Sequence, residues 1–202
     1  MYQQNNETMN DIREERIDNY IFRLYYDENP TDPREDYNLS KMVCFHKRYN
    51  LGDDHDFKSD DFDSWDEMEK HITRMENPIV IKPLYLYDHG GITIKTSSFS
   101  CQWDSGQIGF VYIRKQDVRD NFSIKRCGQN MVERCDVLLE GEVDTYDKYL
   151  QGQVYGYEIC KVTEDGHQEG LERCGDYFDE EQCVHDGMVS LNWFKENDKV
   201  MV

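Results

Sequence analysis

Short apolar runs and alternating apolar–polar segments, separated by turn-forming residues, dominate the chain. Runs rich in β-branched and aromatic residues are typical of strands. We predict strands at residues 17–26, 42–46, 79–87, 92–96, 108–113, 154–162 and 171–178. The Asp-His-Gly-Gly segment at 88–91 predicts a tight hairpin turn, because glycine readily adopts a positive φ.

Apolar residues at helical spacing predict four helices. The longest covers residues 130–150, and two shorter ones cover 115–122 and 179–189. The apolar face of the longest helix consists of Met131, Cys135, Leu138, Leu139, Val143, Tyr146 and Leu150. The fourth helix begins after Ser64, a predicted N-cap whose partner Glu67 stands three residues later, as a capping box requires.

The order of these elements shows no regular strand–helix–strand alternation, which predicts an α+β fold. We expect a single domain with a largely antiparallel sheet, one long helix and two or three shorter helices. Residues 1–16 are polar and are predicted to form a flexible N-terminus. Residues 17–202 contain neither an internal repeat nor a low-complexity linker, so we predict that they form the single domain.

Net charge is the strongest feature of the composition. The 202 residues include 42 acidic and 23 basic side chains, and the formal net charge is −19 at pH 7. Such a surface repels anionic membranes, and it repels nucleic acid, whose binding needs clustered Lys and Arg. It attracts basic surfaces and speeds association with them. The charge therefore favours a basic protein as partner, with solubility alone as the alternative.

Acidic residues form two groups, one in residues 53–69 and one on the long helix. The second group consists of Glu140, Glu142, Asp144 and Asp147. Carboxylates on a rigid surface can imitate a nucleic-acid backbone, and an aromatic side chain among them can anchor an interface. The predicted binding residues are Asp53, Asp54, Asp56, Asp60, Asp61, Asp63, Trp65, Asp66, Glu67, Glu69, Glu142, Asp144 and Asp147. The alternative is that these side chains form ordinary solvated faces.

Cysteine usage bears on the cellular compartment. The chain has seven cysteines at irregular spacings, and the number is odd. The first 16 residues are polar and charged, unlike a secretory signal, and no apolar run approaches the roughly 20 residues of a membrane span. Together these features predict free thiols in a reducing cytosol and no membrane association.

One segment resembles a known family. Residues 84–113, LYLYDHGGITIKTSSFSCQWDSGQIGFVYI, carry the pattern YDHxGIT…FSCxWDSGQxGF and resemble uncharacterised proteins found mainly in bacteriophages and prophages. Similar pieces at 42–57, at 142–159 and near 173–174 extend the resemblance over about residues 40–178. The family's usual final strand contains a Trp that the segment ERCGDYF lacks here. The resemblance implies a phage accessory protein in the host bacterial cytoplasm and no particular activity.

A thiol is one candidate for catalysis. Cys101 follows a polar segment, His89 lies in the Gly-rich turn, and Asp104 is close by in sequence. A nucleophilic thiol needs a base, and the base needs an orienting carboxylate. The residue types are present, but their spacing matches no nucleophile motif and no oxyanion hole is identifiable. The alternative is that Cys101 is a small buried apolar residue and that Trp103 anchors the core.

Residues near the C-terminus include candidate zinc ligands, namely Cys160, Cys174, Cys183 and His185. Structural zinc sites use four Cys or His ligands in closely spaced pairs, and the chain has no CxxC pair. The acidic residues 53–69 lack the Gly and Glu positions of an EF-hand loop. We therefore predict no metal and no cofactor.

The DSGQ segment, Asp104 to Gln107, is interpreted as a tight turn. Gly106 would supply a positive φ, and the preceding polar side chains would cap backbone amides. The alternative is a loop that faces a ligand.

These observations favour a binding protein over an enzyme. We expect a phage accessory protein that inhibits a host defence nuclease, such as a CRISPR effector or a restriction enzyme. It would bind the basic nucleic-acid channel of that nuclease as an acidic mimic, so the expected partner is a basic host protein. One alternative is a cysteine-dependent enzyme of unknown substrate centred on Cys101 and His89. Another is a phage structural or assembly protein, and the oligomeric state is open.

Overall fold

The computed structural model describes residues 11–101 and 103–198. In chain order the elements are β1 (Asp11–Ile17), β2 (Tyr20–Tyr26), β3 (Lys41–Cys44), α1 (Trp65–Glu76), β4 (Pro78–Asp88), β5 (Ile92–Lys95), β6 (Ser105–Arg114), α2 (Lys115–Phe122), α3 (Gln129–Leu150), β7 (Tyr155–Val162), β8 (Gln168–Tyr177) and α4 (Glu180–Asp198). A short 3₁₀ turn at Ser59–Asp61 precedes α1. The fold is α+β, as the sequence predicts.

The chain groups into two compact units, and the second is inserted in sequence within the first. Unit 1 contains the chain up to Thr31 and from Gly152 onward, and unit 2 is Asp32–Gln151. Each unit has one four-stranded sheet, and every strand pairing is antiparallel. No low-complexity linker marks either boundary, which is why the sequence predicts one domain over residues 17–202.

Unit 1 is a sheet with strand order β1-β2-β7-β8 and one helix, α4. Alternate residues of β2 and β7 face α4 and form its core, and they are Tyr20, Phe22, Leu24, Tyr157 and Ile159. Cys183 and Leu191 of α4 complete this core. At Gly187 the helix lies so close to the sheet that a Cβ atom would stand 2.5 Å from the Phe22 ring.

The predicted first strand, 17–26, is confirmed over Tyr20–Tyr26, but its start is wrong, because the chain reverses at Asp18 and Asn19. Ile17 pairs with Tyr20, which leaves Asp18 and Asn19 as a two-residue turn. Asp18 has φ of 58°, and Asp tolerates this left-handed region better than most residues do. Residues 11–16, part of the predicted flexible N-terminus, form most of β1, and residues 1–10 lie outside the described residues.

Unit 2 has a sheet of order β3-β6-β4-β5 with a helix on each face. On one face the buried α3 residues Cys135, Leu139, Val143 and Tyr146 pack on the sheet. On the other face Met68 and Ile72 of α1 pack on Val43, Phe110 and Tyr112. Both faces of β6 are therefore buried, which explains its continuous apolar run.

Several predicted features of unit 2 are confirmed. The α2 helix covers the predicted residues 115–122, and the hairpin turn lies between Asp88 and Ile92. The predicted N-cap of α1 is confirmed, because the Glu67 amide donates to Ser64 Oγ at 3.2 Å, but the Glu67 carboxylate accepts from the Asp63 amide, one residue before the position that a capping box requires. The predicted burial of Leu138 on α3 is wrong, since this residue is 37% exposed.

The strand β4 contains Pro83, which has no backbone donor. The strand tolerates this residue because β5 pairs with Tyr85–Asp88 and stops short of it, leaving Pro83 with one neighbouring strand, β6. Among the described residues no helix is long and apolar enough to cross a membrane.

Candidate functional site

The acidic segment before α1 is ordered by aromatic side chains. Asp54 and Asp56 are exposed, and they alternate with the half-buried His55 and Phe57. The His55 ring lies 4.9 Å from the Phe45 ring and 6.0 Å from Phe57, measured between centroids. Alternation therefore directs the aromatic rings towards the unit 2 core and the carboxylates towards solvent.

The order continues through the start of α1. The Phe62 ring packs 5.1 Å from the ring of His71 on α1, between centroids. The Asp63 amide donates to Glu67 Oε2 at 2.9 Å, so the Glu67 carboxylate fixes the residue before the N-cap. Acidic side chains in the first turn of a helix are stabilised by the positive end of its dipole.

The result is a row of exposed carboxylates on fixed backbone, which we call the acidic face. Its members are Asp54, Asp56, Asp60, Asp61, Asp63, Asp66, Glu67 and Glu69. Two lysines accompany them, the exposed Lys58 and Lys70, and Lys70 pairs with Asp66. The acidic face therefore keeps a strong excess of negative charge.

Asp53 does not belong to this face, although the sequence places it there. Its carboxylate accepts hydrogen bonds from Arg34 Nε and Nη2 at 3.0 and 2.8 Å and from the Met42 amide at 2.7 Å. The Arg34 side chain is only 3% exposed. Asp53 is a partner of a buried cation and a backbone amide, so its role is structural.

Two carboxylates of the acidic group predicted on α3, Glu142 and Asp147, are engaged by backbone amides. Glu142 accepts hydrogen bonds from the amides of Leu39 and Ser40 at 2.8 and 2.9 Å. Asp147 accepts one from the Ile94 amide at 2.7 Å. These carboxylates hold a loop and an edge strand against α3, which removes them from the predicted binding surface.

Two further predicted binding residues have local partners. Asp144 is 65% exposed and pairs with Lys148 one turn later, at 2.9 Å. Trp65 is half-buried and meets the Phe110 ring edge-on at 5.9 Å between centroids. Trp65 is thus a packing residue beneath the acidic face, not an exposed anchor on it.

The structure brings the three candidate catalytic residues together. Asp104 Oδ2 lies 3.2 Å from His89 Nδ1 and 3.9 Å from Cys101 Sγ. The carboxylate therefore stands between the thiol and the imidazole, whereas a base-activated thiol requires the imidazole in the middle. The His89 side chain is 71% exposed, so this cluster is open to solvent.

Trp103 and the DSGQ segment differ from expectation. Trp103 is 97% exposed, so it anchors no core. Ser105, Gly106 and Gln107 pair with Tyr87, Leu86 and Tyr85 as the first residues of β6, so the predicted turn is wrong. The strand extends because β4 supplies a partner along this whole length, and Gly106 does not have a positive φ.

The candidate zinc ligands do not form a site. No group of three or more His, Cys, Asp or Glu side chains in the described part of the chain is arranged to hold a metal ion. Cys160 lies 3.6 Å from Arg23 Nη1, on the face of the unit 1 sheet opposite α4. Cys183 lies in the core between α4 and that sheet, and Cys174 packs against the same core. Burial raises the pKa of the Cys183 thiol to about 12, which favours a neutral structural cysteine.

Sequence reasoning missed the cations that matter locally. Arg34 lies in a polar loop with nothing in its neighbourhood to mark it as buried, and Lys47 and Arg48 follow β3 and line the same cleft as Trp103.

Comparison with family models, with curated proteins and with solved structures finds no match to this chain. Its own geometry offers two surfaces for function, the acidic face and the end of the sheet around Trp103.

Proposed function

We propose that this protein is a binding protein that docks its acidic face on the basic, nucleic-acid-binding surface of another protein. The observation that supports this proposal is the row of eight exposed carboxylates on backbone held by aromatic packing, by the Ser64 N-cap and by the Asp63–Glu67 hydrogen bond. An ordered row of charges loses little conformational entropy on binding, and long-range attraction raises its association rate.

The proposed partner is a host defence nuclease, such as a CRISPR effector or a restriction enzyme, in the bacterial cytoplasm. Support comes from the net charge of −19 and from the resemblance of about residues 40–178 to phage and prophage proteins. A protein lodged in a basic channel competes with nucleic acid for the same Lys and Arg side chains. The proposed outcome is inhibition of the nuclease.

Affinity capture from the bacterial host tests this proposal. The tagged protein should retain a basic nucleic-acid-processing protein at low salt and release it at high salt, because screening shortens the range of charge attraction. Added double-stranded DNA should displace the same protein. Retention that resists both high salt and DNA would contradict charge mimicry.

A cysteine-dependent activity is the second candidate, because Asp104 contacts both His89 and Cys101. Substrate binding would have to rearrange the imidazole towards the sulfur. This hypothesis requires fast alkylation of Cys101 and loss of activity in Cys101→Ala. Slow alkylation together with an unchanged Cys101→Ala protein would remove it.

A further inference from the structure

A cleft opens at the end of the unit 2 sheet where β3 and β4 finish and β6 starts. Its volume is about 640 Å³, within the range of small-molecule sites. The segment His46–Arg48 and Trp103 both line it. The acidic face contributes no residue to its lining, so the cleft is a separate feature of unit 2.

Three residues with hydrogen-bond donors follow one another in the segment His46–Arg48. Lys47 is exposed and has no ion-pair partner among the described residues. Arg48 is 67% exposed and uses one Nη group to pair with Asp88, which leaves further N–H groups unused by that contact. Both cations occur together in a chain whose net charge is −19.

His46 is the third residue of this segment that can donate. Its Nδ1 accepts hydrogen bonds from the backbone amides of Arg48 and Tyr49, both at 3.3 Å. A neutral imidazole with an accepting Nδ1 carries its proton on Nε2, which is then a donor. The ring is fixed by stacking on Tyr49 at 4.9 Å between centroids. Adjacent Lys, Arg and His donors are the chemistry that recognises a phosphate.

Two carboxylates, Asp88 and Asp104, line the same cleft and offset its two cations in net charge. Asp88 is the ion-pair partner of Arg48, and Tyr49 Oη also lies 3.4 Å from its carboxylate. Asp104 contacts His89 at 3.2 Å. Lys47 is therefore the cation of this segment that has no ion-pair partner among the described residues, and it can pair with a phosphate.

Trp103 supplies a different kind of surface. Its side chain is 97% exposed beside the cleft, an unusual position for the largest apolar side chain. A free indole face is a stacking platform for a nucleobase. A flat ring and clustered donors that line one cleft match a ligand with a planar ring and an anionic group.

We propose that this cleft binds a nucleotide, whose base stacks on Trp103 and whose phosphate is held by His46, Lys47 and Arg48. The site is independent of the proposed docking by the acidic face. Charge reversal of the acidic face should therefore leave nucleotide affinity unchanged.

Titration with AMP, GMP, CMP and UMP, followed by tryptophan fluorescence and calorimetry, tests the proposal. At least one nucleotide should bind more tightly than its nucleoside and than inorganic phosphate, because both halves of the ligand contribute. Trp103→Ala should weaken binding by about tenfold or more, as expected for loss of base stacking. Trp193→Ala, which removes a partly exposed indole from α4, should not change affinity.

Lysine variants provide the second test. Lys47→Gln should weaken nucleotide binding and reduce its salt dependence, whereas Lys58→Gln, an exposed lysine of the acidic segment, should do neither. The proposal is overturned if no nucleotide binds at millimolar concentration, or if Trp103→Ala binds as well as the unaltered protein. If Trp103→Ala abolishes capture of a protein while nucleotides fail to bind, the surface is a protein interface and the proposal fails.

Discussion

At the scale of single residues, tertiary contacts decide which carboxylates are exposed to solvent. Asp53 and Asp54 are neighbours in sequence, yet one carboxylate meets a buried guanidinium and the other faces solvent. The partner of Asp53 is Arg34, and that of Glu142 includes the Ser40 amide 102 residues away. Residue type alone cannot separate these cases, because the distinction is made by tertiary contacts.

This difference predicts unequal effects of two alanine substitutions. Asp53→Ala should lower the free energy of unfolding by roughly 3 kcal/mol, because it leaves the Arg34 charge buried without its best partner. Asp54→Ala is the matched control and should change it by less than about 0.5 kcal/mol. Urea denaturation measures both, and equal values for the two variants would contradict the assignment.

At the scale of secondary-structure elements, local patterns predicted most of unit 2. The helices α1, α2 and α3 follow from apolar spacing, and the start of α1 follows from its N-cap. The β1–β2 hairpin was missed because its first strand, DIREERI, is exposed and polar and has no apolar pattern. The first residues of β6 were missed because small polar residues are equally suited to turns, and pairing with β4 decides the outcome.

The same strand offers a test of the sheet. A Cβ atom at Gly109 would stand 1.8 Å from the Val43 carbonyl oxygen, which is backbone and cannot move aside cheaply. Gly109→Ala should therefore cost about 3 kcal/mol or more by separating β3 from β6. Gly106→Ala is the control, because nothing lies within 4 Å of a Cβ atom placed at that position. Thermal unfolding compares them, and similar midpoints would contradict the close approach of these strands.

At the scale of the whole molecule, buried neutral groups set the behaviour at high pH. Burial raises the pKa of the Cys44 thiol to about 12 and that of the Tyr146 hydroxyl to about 12. Both groups ionise more readily in the unfolded chain, whose ordinary values are about 9 and 10. The stability that their neutral forms provide is complete below about pH 9 and is lost as the pH rises towards 12.

Denaturation midpoints measured between pH 7 and pH 11 check this expectation. The midpoint should hold steady up to about pH 9 and then fall. Absorbance at 295 nm should show tyrosines that ionise only as the protein unfolds. Unchanged stability at pH 11 would contradict the burial of these groups.

Charge distribution is the other property of the whole molecule. The sequence alone predicted a basic partner from the net charge of −19, but it counted internal carboxylates such as Glu142 among the binding residues. The structure reduces the candidate surface to the acidic face. Two variants with the same net charge, altered at different places, therefore distinguish binding through the acidic face from binding through net charge alone.

The most direct measurement is the dissociation constant of the captured basic protein for two charge variants. One carries Asp54→Lys, Asp56→Lys and Asp60→Lys in the acidic face. The other carries Glu28→Lys, Glu164→Lys and Glu169→Lys at exposed positions of unit 1, so the change in net charge is the same. We predict that the first variant binds at least about tenfold more weakly and that the second keeps most of its affinity. Equal affinity of the two variants would contradict the account, because binding would then not depend on the acidic face.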